Sequence, residues 1–382
     1  MKAGLLGRKL GHSLSPQIHR FFGDYEYRLY EREPEDVEDF VRGSGLDLLN
    51  VTIPYKKTVA AICDDLTPLA ERLGNVNLVT RLAGGRLRGD NTDYFGFGRL
   101  LDSVCGPTGL KLPRLAAVLG AGGAAMTAKT VLEDRGAEVV LVRRGEVPPS
   151  DVGLVVNATP VGMYPDVDGR RIDISEFPSC EAVLDLVYNP SPTRLVREAL
   201  ESGRAAADGM VMLIAQAYRA YLLAAGGEPN FGNLYLYGPP ASGKTTWARR
   251  LASATGMPLV DVDAEIVKNE GRPIAEIFAA DGEAAFRRIE RETLARVASA
   301  VGQVVALGGG ALLDDGSRRL AESTGRVVLL KCPDSELLRR AAASAERPLL
   351  AGDRAERVLA LLYARRAHYE SFGVSVDTER LA

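Results

Sequence analysis

A doubly nucleotide-binding α/β protein follows from three features of this 382-residue chain. Short Val- and Leu-rich runs (LLNVTIP, RLAAVLG, EVVLV, GLVVNAT and EAVLDLV) lie near Gly, Pro or Asn, and most precede a plausible helix. That is the rhythm of buried parallel strands in α/β units. A glycine-rich turn, GAGGAA, occupies Gly120–Ala125, and a second, GPPASGKTT, occupies Gly238–Thr246. Both stand between a strand-like run and a helix-like one, where backbone amides cradle phosphates.

Length and composition set the frame. At 382 residues, two or three domains of ordinary size are expected. A hydrophobic fraction of 46% with 25% charged residues fits globular domains, and a net charge of -3 speaks against nucleic acid or an anionic membrane as partner. Cys63, Cys105, Cys180 and Cys332 are scattered, without metal-like spacing, so reduced thiols are expected. No apolar run reaches the ~20 residues of a membrane span, and the first residues lack a signal-peptide pattern. A cytoplasmic location is expected. The segment AAGGEPNFGN reads as a linker, and the strand–loop–helix rhythm restarts after it, as though a new core began there. Just before it, DGMVMLIAQAYRAYLLAAGG repeats apolar residues at helical spacing. An amphipathic helix packed on the preceding module is expected, with Gln216 able to reach a ligand if the helix borders a cleft.

In the first turn, Gly120-x-Gly122-x-x-Ala125 has the dinucleotide spacing, and small residues let the backbone approach a pyrophosphate. The next strand, EVVLV, ends in Arg143 and Arg144 rather than the carboxylate that would bond a ribose hydroxyl. Two guanidinium groups suit a 2′-phosphate, which favours NADP(H) over NAD. The alternative is a pair of solvated surface arginines.

GHSLSP, NVTIPYK, GNVN and GDNTDYFG precede this turn, while NATPVGM, VYNPSPT and MLIAQ follow it. In this order the motifs resemble the shikimate dehydrogenase family over residues 1 to about 228. The resemblance implies a substrate lobe over 1–95, completed by a helix over 208–226, and a Rossmann NADP lobe over 96–207, with catalysis in the cleft between. It implies 3-dehydroshikimate as substrate, held by Ser13, Ser15, Thr52, Asn77, Tyr188 and Gln216, with Lys56 and Asp93 as the catalytic pair. It also places the cofactor against Gly120, Ala121, Gly122, Gly123 and Ala124, then Arg143, Arg144, Thr159, Met163 and Gly209. The residue types suit the chemistry, because hydride delivery to a ketone builds negative charge on oxygen, which a lysine stabilises. Asp93 would orient that lysine; the alternative is a structural ion pair. Departures from the family pattern are Arg8-Lys9, Leu78 after Asn77, Arg143-Arg144-Gly145, and a short segment from Phe21 to Leu49.

NLYLY-GPPASGKT matches the P-loop pattern. Gly238, Ala241, Ser242, Gly243 and Thr246 would wrap the phosphates of ATP, Lys244 would bridge the terminal ones, and the Thr245 hydroxyl would ligate Mg²⁺. The motifs that follow are VDVDAEI, GEAAFRRIE, ALGGGAL, ERPLL and ARRAHYE. They resemble the shikimate kinase family over 233–382, after a linker at 227–232. The resemblance implies that Asp263 bonds the acceptor hydroxyl, Asp261 supports the metal, and Arg287, Gly309 and Arg365 hold shikimate. It also puts Arg340 near the adenine and Arg347 on a closing lid. Asp261 and Asp263 could instead only cap a helix. The chain ends at VDTERLA, where the family continues into a last helix, so a trimmed and weaker kinase core is expected.

The product of the first reaction is the acceptor of the second, which explains two phosphate cradles on one chain. The expectation is a two-step enzyme with small-molecule partners and room for a homodimer. A dehydrogenase for quinate with NAD, and a ligand sensor without turnover, are the rival readings. Lys56, Asp93, Lys244 and Asp263 are the residues a sensor could lose, and all are present.

Overall fold

The computed structural model describes residues 1–227, 229, 231–343 and 354–379, and counts below refer to these. Three sheets follow one another along the chain. The first contains β1 (Lys2–Gly7), β2 (Glu26–Glu31), β3 (Leu48–Val51), β4 (Asp65–Leu66), β5 (Leu78–Arg81) and β6 (Leu87–Asp90). Its order is β2-β1-β3-β5-β6-β4. The run LLNVTIP was grouped with parallel strands, but β3 pairs in parallel only with β1 and antiparallel with β5, which is itself antiparallel to β6. The sheet is therefore mixed. A run buried on both faces looks the same in either kind of pairing, so hydrophobicity could not reveal this.

The second sheet contains β7 (Leu115–Leu119), β8 (Glu138–Val142), β9 (Leu154–Asn157), β10 (Ala182–Asp185) and β11 (Ala205–Ala207). It is wholly parallel, in the order β11-β10-β9-β7-β8. The third is also parallel: β12 (Asn233–Tyr237), β13 (Leu259–Asp261), β14 (Val304–Ala306), β15 (Gly325–Lys331) and β16 (Ser375–Asp377), ordered β13-β14-β12-β15-β16. In both parallel sheets the strand that feeds the glycine-rich turn lies at the switch in strand order, where α/β sheets open a crevice.

Only one face of the third sheet has a core of its own. Its helix Lys244–Thr255 lies between β12–β14 on one side and the helices Asp93–Thr108 and Met210–Ala225 on the other. Phe21, Leu101, Ile214 and Tyr218 thus share one apolar cluster with Trp247, Leu251, Leu236 and Val304. Phe21 stacks on Trp247 with ring centroids 5.7 Å apart. The helix Met210–Ala225 buries residues on more than one face, including Ala215, Ala217, Tyr218 and Tyr221, because the helices Ser15–His19, Asp93–Thr108 and Lys244–Thr255 all pack against it. The far face of the third sheet has its own cluster around Tyr235, Tyr237, Phe286 and Phe372.

Polar contacts close the seam. Arg326 donates to both Asp24 carboxylate oxygens at 2.7 and 2.8 Å, and Arg99 donates to Ser253 O at 2.8 Å. Arg20 donates to Ser375 O at 3.2 Å, so the edge strand β16 is covered by the first module. Next to β16 the buried Thr378 hydroxyl reaches Ser242 O and Lys331 O at 3.2 and 3.0 Å, tying the segment to the P-loop.

Trp247 is the chain's one tryptophan. Trp247→Ala should lower stability by about 3–5 kcal/mol, measured by urea unfolding followed by circular dichroism. A cycle with Phe21→Ala should show coupling of about 1 kcal/mol across the seam; independent modules would give none.

Candidate active sites

The first cleft is assembled from loop ends. The turn NVTIPY delivers Lys56 to the start of helix Lys56–Ile62, and GDNTD delivers Asp93 to the start of helix Asp93–Thr108. Their ammonium and carboxylate form an ion pair through Asp93 Oδ2, with both side chains mostly buried. Asn77 Nδ2 donates to Asp93 Oδ1 at 2.8 Å and to Thr92 Oγ1 at 3.1 Å, and Asn77 Oδ1 accepts the Thr92 amide at 2.6 Å. Asn91 Oδ1 accepts the Asp93 amide at 3.0 Å, while its Nδ2 donates to Asn75 Oδ1 at 2.8 Å. GNVN and GDNTD are thus interlocked: Asn77 holds the Asp93 carboxylate, Asn91 accepts the Asp93 backbone amide, and Asn75 anchors Asn91. Burial of the pair is offset on the carboxylate, both of whose oxygens accept a hydrogen bond.

Ser13 and Ser15 lie together, hydroxyl to hydroxyl at 3.2 Å. Ser15 hydrogen-bonds Tyr27, and Tyr27 donates to Asn50 Oδ1 at 2.8 Å. Asn50 Nδ2 in turn reaches Asn77 O at 3.4 Å. This polar chain runs from Ser13 to Asp93 and brings together Ser13, Ser15 and Asn77 of the sequence-predicted substrate residues. Thr52 is half-buried beside Gly7, its amide bonded to Leu6 O. Gln216 stands apart from the chain, since its amide donates to Leu213 O of its own helix at 2.9 Å. His12 meets Tyr164 edge-on at 5.3 Å, so the loops holding Ser13 and Met163 touch across the cleft.

Behind Ser15, the buried His19 shares a 2.6 Å hydrogen bond with the Tyr25 hydroxyl and stacks on Tyr27 at 4.0 Å. Burial drives its pKa down to about 3, with the Asn50 side chain pulling the other way. In the unfolded chain the ring takes its proton near pH 6.5, so acid favours unfolding. The contribution is whole above that pH and is lost as pH falls toward 3. Urea unfolding at about pH 7.5 and about pH 5 should show a loss of about 2 kcal/mol from this group, and His19→Leu should lack that loss.

The dinucleotide turn opens helix Gly123–Asp134, whose N-terminus has no side-chain cap. Its free amides fit an anion. A Cβ on Gly122 or Gly123 would meet nothing within 4 Å, so the space before Gly120–Ala124 is open. Arg143 and Arg144 stand exposed at the end of β8 with no acidic partner among the described residues. The nearby Glu146 accepts the Arg143 amide at 2.7 Å. Arg171, not singled out from the sequence, donates to Arg143 O at 2.6 Å and adds a third guanidinium; it comes from a loop with no motif to mark it. Thr159 is pinned by Asn157 Oδ1 at 2.6 Å, and Asn157 Nδ2 donates to Asp185 at 2.9 Å. Asp185 also accepts from Val187 N and the Thr193 hydroxyl, and burial pushes its pKa up to about 6.

In the second site, helix Lys244–Thr255 is likewise uncapped at its N-terminus. Lys244 Nζ donates to Gly238 O and Pro239 O, each at 2.8 Å, so the loop Gly238–Thr246 curls around it. The Thr245 hydroxyl donates to Asp261 Oδ2 at 3.0 Å. Asp261 Oδ1 accepts the Asp263 and Ala264 amides, so Asp261 caps its helix and meets the P-loop threonine at once. A cleft of about 460 Å³ lies over Thr245, Asp261, Asp263 and Lys268. Around the glycine loop, a Cβ on Gly308 would lie 2.7 Å from Glu290 Oε1 and 3.0 Å from Asp263 Oδ1, which leaves room only for glycine. Arg287 donates to Glu290 Oε2 at 2.6 Å. Gly309 O accepts from Arg365 at 3.4 Å and from the Tyr369 hydroxyl at 2.7 Å. Arg340 borders Gly243 and is held by Glu336 at 2.7 Å. Arg347 lies outside the described residues.

Glu290 was missed. It closes the motif GEAAFRRIE and looks like an ordinary helix-surface acid, yet it is 3% exposed beside Asp263 and Arg287, and burial pushes its carboxyl up against the pull of Arg287. Among the described residues no cluster of three metal-ligating side chains occurs, and no helix is long and apolar enough to cross a membrane.

Two parallel sheets with phosphate-ready helix ends, one serving a cleft with a Lys–Asp pair, define a nucleotide-dependent oxidoreductase joined to a P-loop transferase. Residues 5–79 match the family described as Shikimate dehydrogenase substrate binding domain, and residues 240–382 match Shikimate kinase. The shikimate dehydrogenase (NADP(+)) of Methanopyrus kandleri is 35% identical over 266 residues, covering 59% of this chain and 90% of that protein. The Bacillus subtilis one is 33% identical over 261 residues, covering 59% and 92%. Among solved structures, shikimate 5-dehydrogenase from Thermus thermophilus, in complex with NADP(H) and shikimate, aligns with TM-score 0.54 at 31% identity, covering 60% of this chain and 95% of that one. Quinate dehydrogenase from Corynebacterium glutamicum, in complex with NAD, aligns with TM-score 0.54 at 29% identity, covering 60% and 95%. The chain belongs to the shikimate dehydrogenase family and carries a shikimate kinase domain behind it; it is a bifunctional NADP-dependent dehydrogenase and kinase.

Proposed function

We propose that the first cleft reduces 3-dehydroshikimate to shikimate with NADPH, and that the second phosphorylates shikimate to shikimate 3-phosphate with MgATP. The observation that carries this reading is the Lys56–Asp93 pair, locked by Asn77 within a polar chain that reaches Ser13 and Ser15. When bound, NADPH supplies the hydride. Lys56 stabilises the charge that develops on the carbonyl oxygen and stands ready to supply its proton. Asp93 keeps the ammonium aimed, and Ser13, Ser15, Thr52 and Asn77 offer hydrogen bonds to the carboxylate and hydroxyls of the ring. Tyr188 and Gln216 close the far side, the latter after its amide leaves Leu213 O. Thr159, Met163 and Gly209 border the nicotinamide end, and Arg143, Arg144 and Arg171 meet the 2′-phosphate.

In the second cleft ATP supplies the phosphoryl group and Mg²⁺ neutralises it. Thr245 and Asp261 would hold the metal, the amides of Gly238–Thr246 and Lys244 the phosphates, and Arg340 would border the base. Asp263 accepts the proton of the attacking hydroxyl. Arg287 and Arg365 fork the carboxylate of shikimate, and the buried Glu290 fixes the Arg287 fork. A cytoplasmic setting, where both nucleotides are plentiful, fits this chemistry.

Purified protein with 3-dehydroshikimate, NADPH and MgATP should yield shikimate 3-phosphate by mass detection. Lys56→Met should cut NADPH oxidation about 10²–10³-fold and remove the product, whereas Lys244→Ala, or chelation of divalent metal, should leave the first step intact and let shikimate accumulate. NADPH oxidation that persists in Lys56→Met would sink the assignment. Replacing Arg143 and Arg144 together with Ser should raise the KM for NADPH at least tenfold while leaving that for NADH little changed, read from steady-state rates. Unchanged NADPH kinetics would return these arginines to the solvated surface.

A further inference from the structure

The seam between the modules holds a polar relay that the two reactions do not account for. Arg250 lies further along the P-loop helix than Lys244 and Thr245, with its guanidinium 5.2 Å over the Trp247 ring. It donates to Ser191 Oγ at 2.7 Å, and Ser191 Oγ donates to Asp208 Oδ2 at 2.6 Å. Asp208 Oδ1 accepts the amide of Met210 at 3.0 Å, the first residue of the helix that carries Gln216. The hydroxyl of Ser191 is used in both senses, as acceptor from the kinase side and donor to the dehydrogenase side. Among the described residues Asp208 forms no direct ion pair; Arg250 is the cation that faces it, and the buried Asp185 carboxyl feels its charge from the other side of the loop. Burial weakens the hold of Arg250 on its proton, while the Asp208 charge acts the other way.

What the relay holds is the end of the dehydrogenase cleft. Ser191 belongs to the loop that follows Tyr188. Gly209 donates its amide to Val187 O at 2.9 Å, and a Cβ on Gly209 would lie 2.2 Å from Leu186 O. The loop and the Gly209 turn are therefore in backbone contact, and neither can shift without the other. A guanidinium that fixes Ser191 and Asp208 at once fixes both sides of that contact.

We propose that Arg250, which lies in the kinase half, is a positioning residue for the dehydrogenase: through Ser191 and Asp208 it sets the Val187–Pro192 loop and Gly209 for substrate and cofactor. This rests on the reading of Tyr188 and Gly209 as binding residues. The kinase half is then part of the dehydrogenase site, and not only its neighbour on the chain.

The test uses the full chain carrying Arg250→Met, Arg250→Lys or Ser191→Ala, with both reactions assayed separately. Arg250→Met should raise the KM values for NADPH and 3-dehydroshikimate about tenfold, with kcat changed less and kinase constants within about twofold of wild type. Arg250→Lys should restore part of the loss. Ser191→Ala should reproduce it, and the Met/Ala double variant should be no worse than either alone. Dehydrogenase constants unchanged in a folded Arg250→Met protein would overturn the proposal. So would parallel losses in both activities accompanied by a lowered melting temperature, which would reduce Arg250 to a structural contact. Absence of NADPH oxidation in the wild type would instead count against the functional reading on which this rests.

Discussion

The contact of helix Lys244–Thr255 with helices Asp93–Thr108 and Met210–Ala225 is the constraint on which the molecule depends. Two of the three helices begin at a site, the first with Lys244 and the second with Asp93, while the third carries Gln216, whose amide turns back to Leu213 O. Because protein interiors are close-packed, such a layer has few ways to yield. The stacked Phe21 and Trp247 rings sit at its centre, and Arg20, Arg99, Arg250 and Arg326 border it. The Arg326–Asp24 pair is exposed on the aspartate side and contributes register more than stability.

Both sites solve the same electrostatic problem with the same means. Anionic nucleotides meet uncapped helix N-termini, where unsatisfied amides and the helix dipole favour negative charge. The cations that the proposed function offers to substrate take their direction from buried carboxylates, Asp93 beside Lys56 and Glu290 beside Arg287. A lone buried cation would lose its charge or its direction, so the carboxylate is as much a part of the site as the cation it holds.

The cradles were the most legible part of the sequence, because a phosphate-binding turn demands small residues at fixed spacing beside a strand and a helix. The runs RLAAVLG, EVVLV, GLVVNAT and EAVLDLV became β7 to β10, each in a parallel pair. LLNVTIP became a strand in a mixed sheet, since burial on two faces leaves no trace of strand direction. Glu290 and Arg171 escaped notice because nothing in their local pattern separates a buried acid from a helix-surface one, or a loop arginine from its neighbours. Gln216 was placed on the right helix, but its side chain turns back to Leu213.

A fresh core after the linker exists on the far face of the third sheet, while the near face shares the core of the first module, for a related reason. Ala248, Leu251 and Ala254 mark the P-loop helix as apolar, yet the same residues serve whether they meet the kinase sheet alone or the sheet and a second module. Local pattern records how much of a helix avoids water, and spacing records what a turn can cradle; those two signals pointed to two phosphate cradles and to the order of the modules, while the substrate chemistry came from the resemblance to two families. Which surfaces meet is a matter of shape complementarity among residues far apart in the sequence, from 59 positions for Arg250 and Ser191 to 355 for Arg20 and Ser375. The shared core, the covered β16 edge and the Arg250–Ser191–Asp208 relay exist only once the chain has folded, because no short stretch contains both halves of any of them.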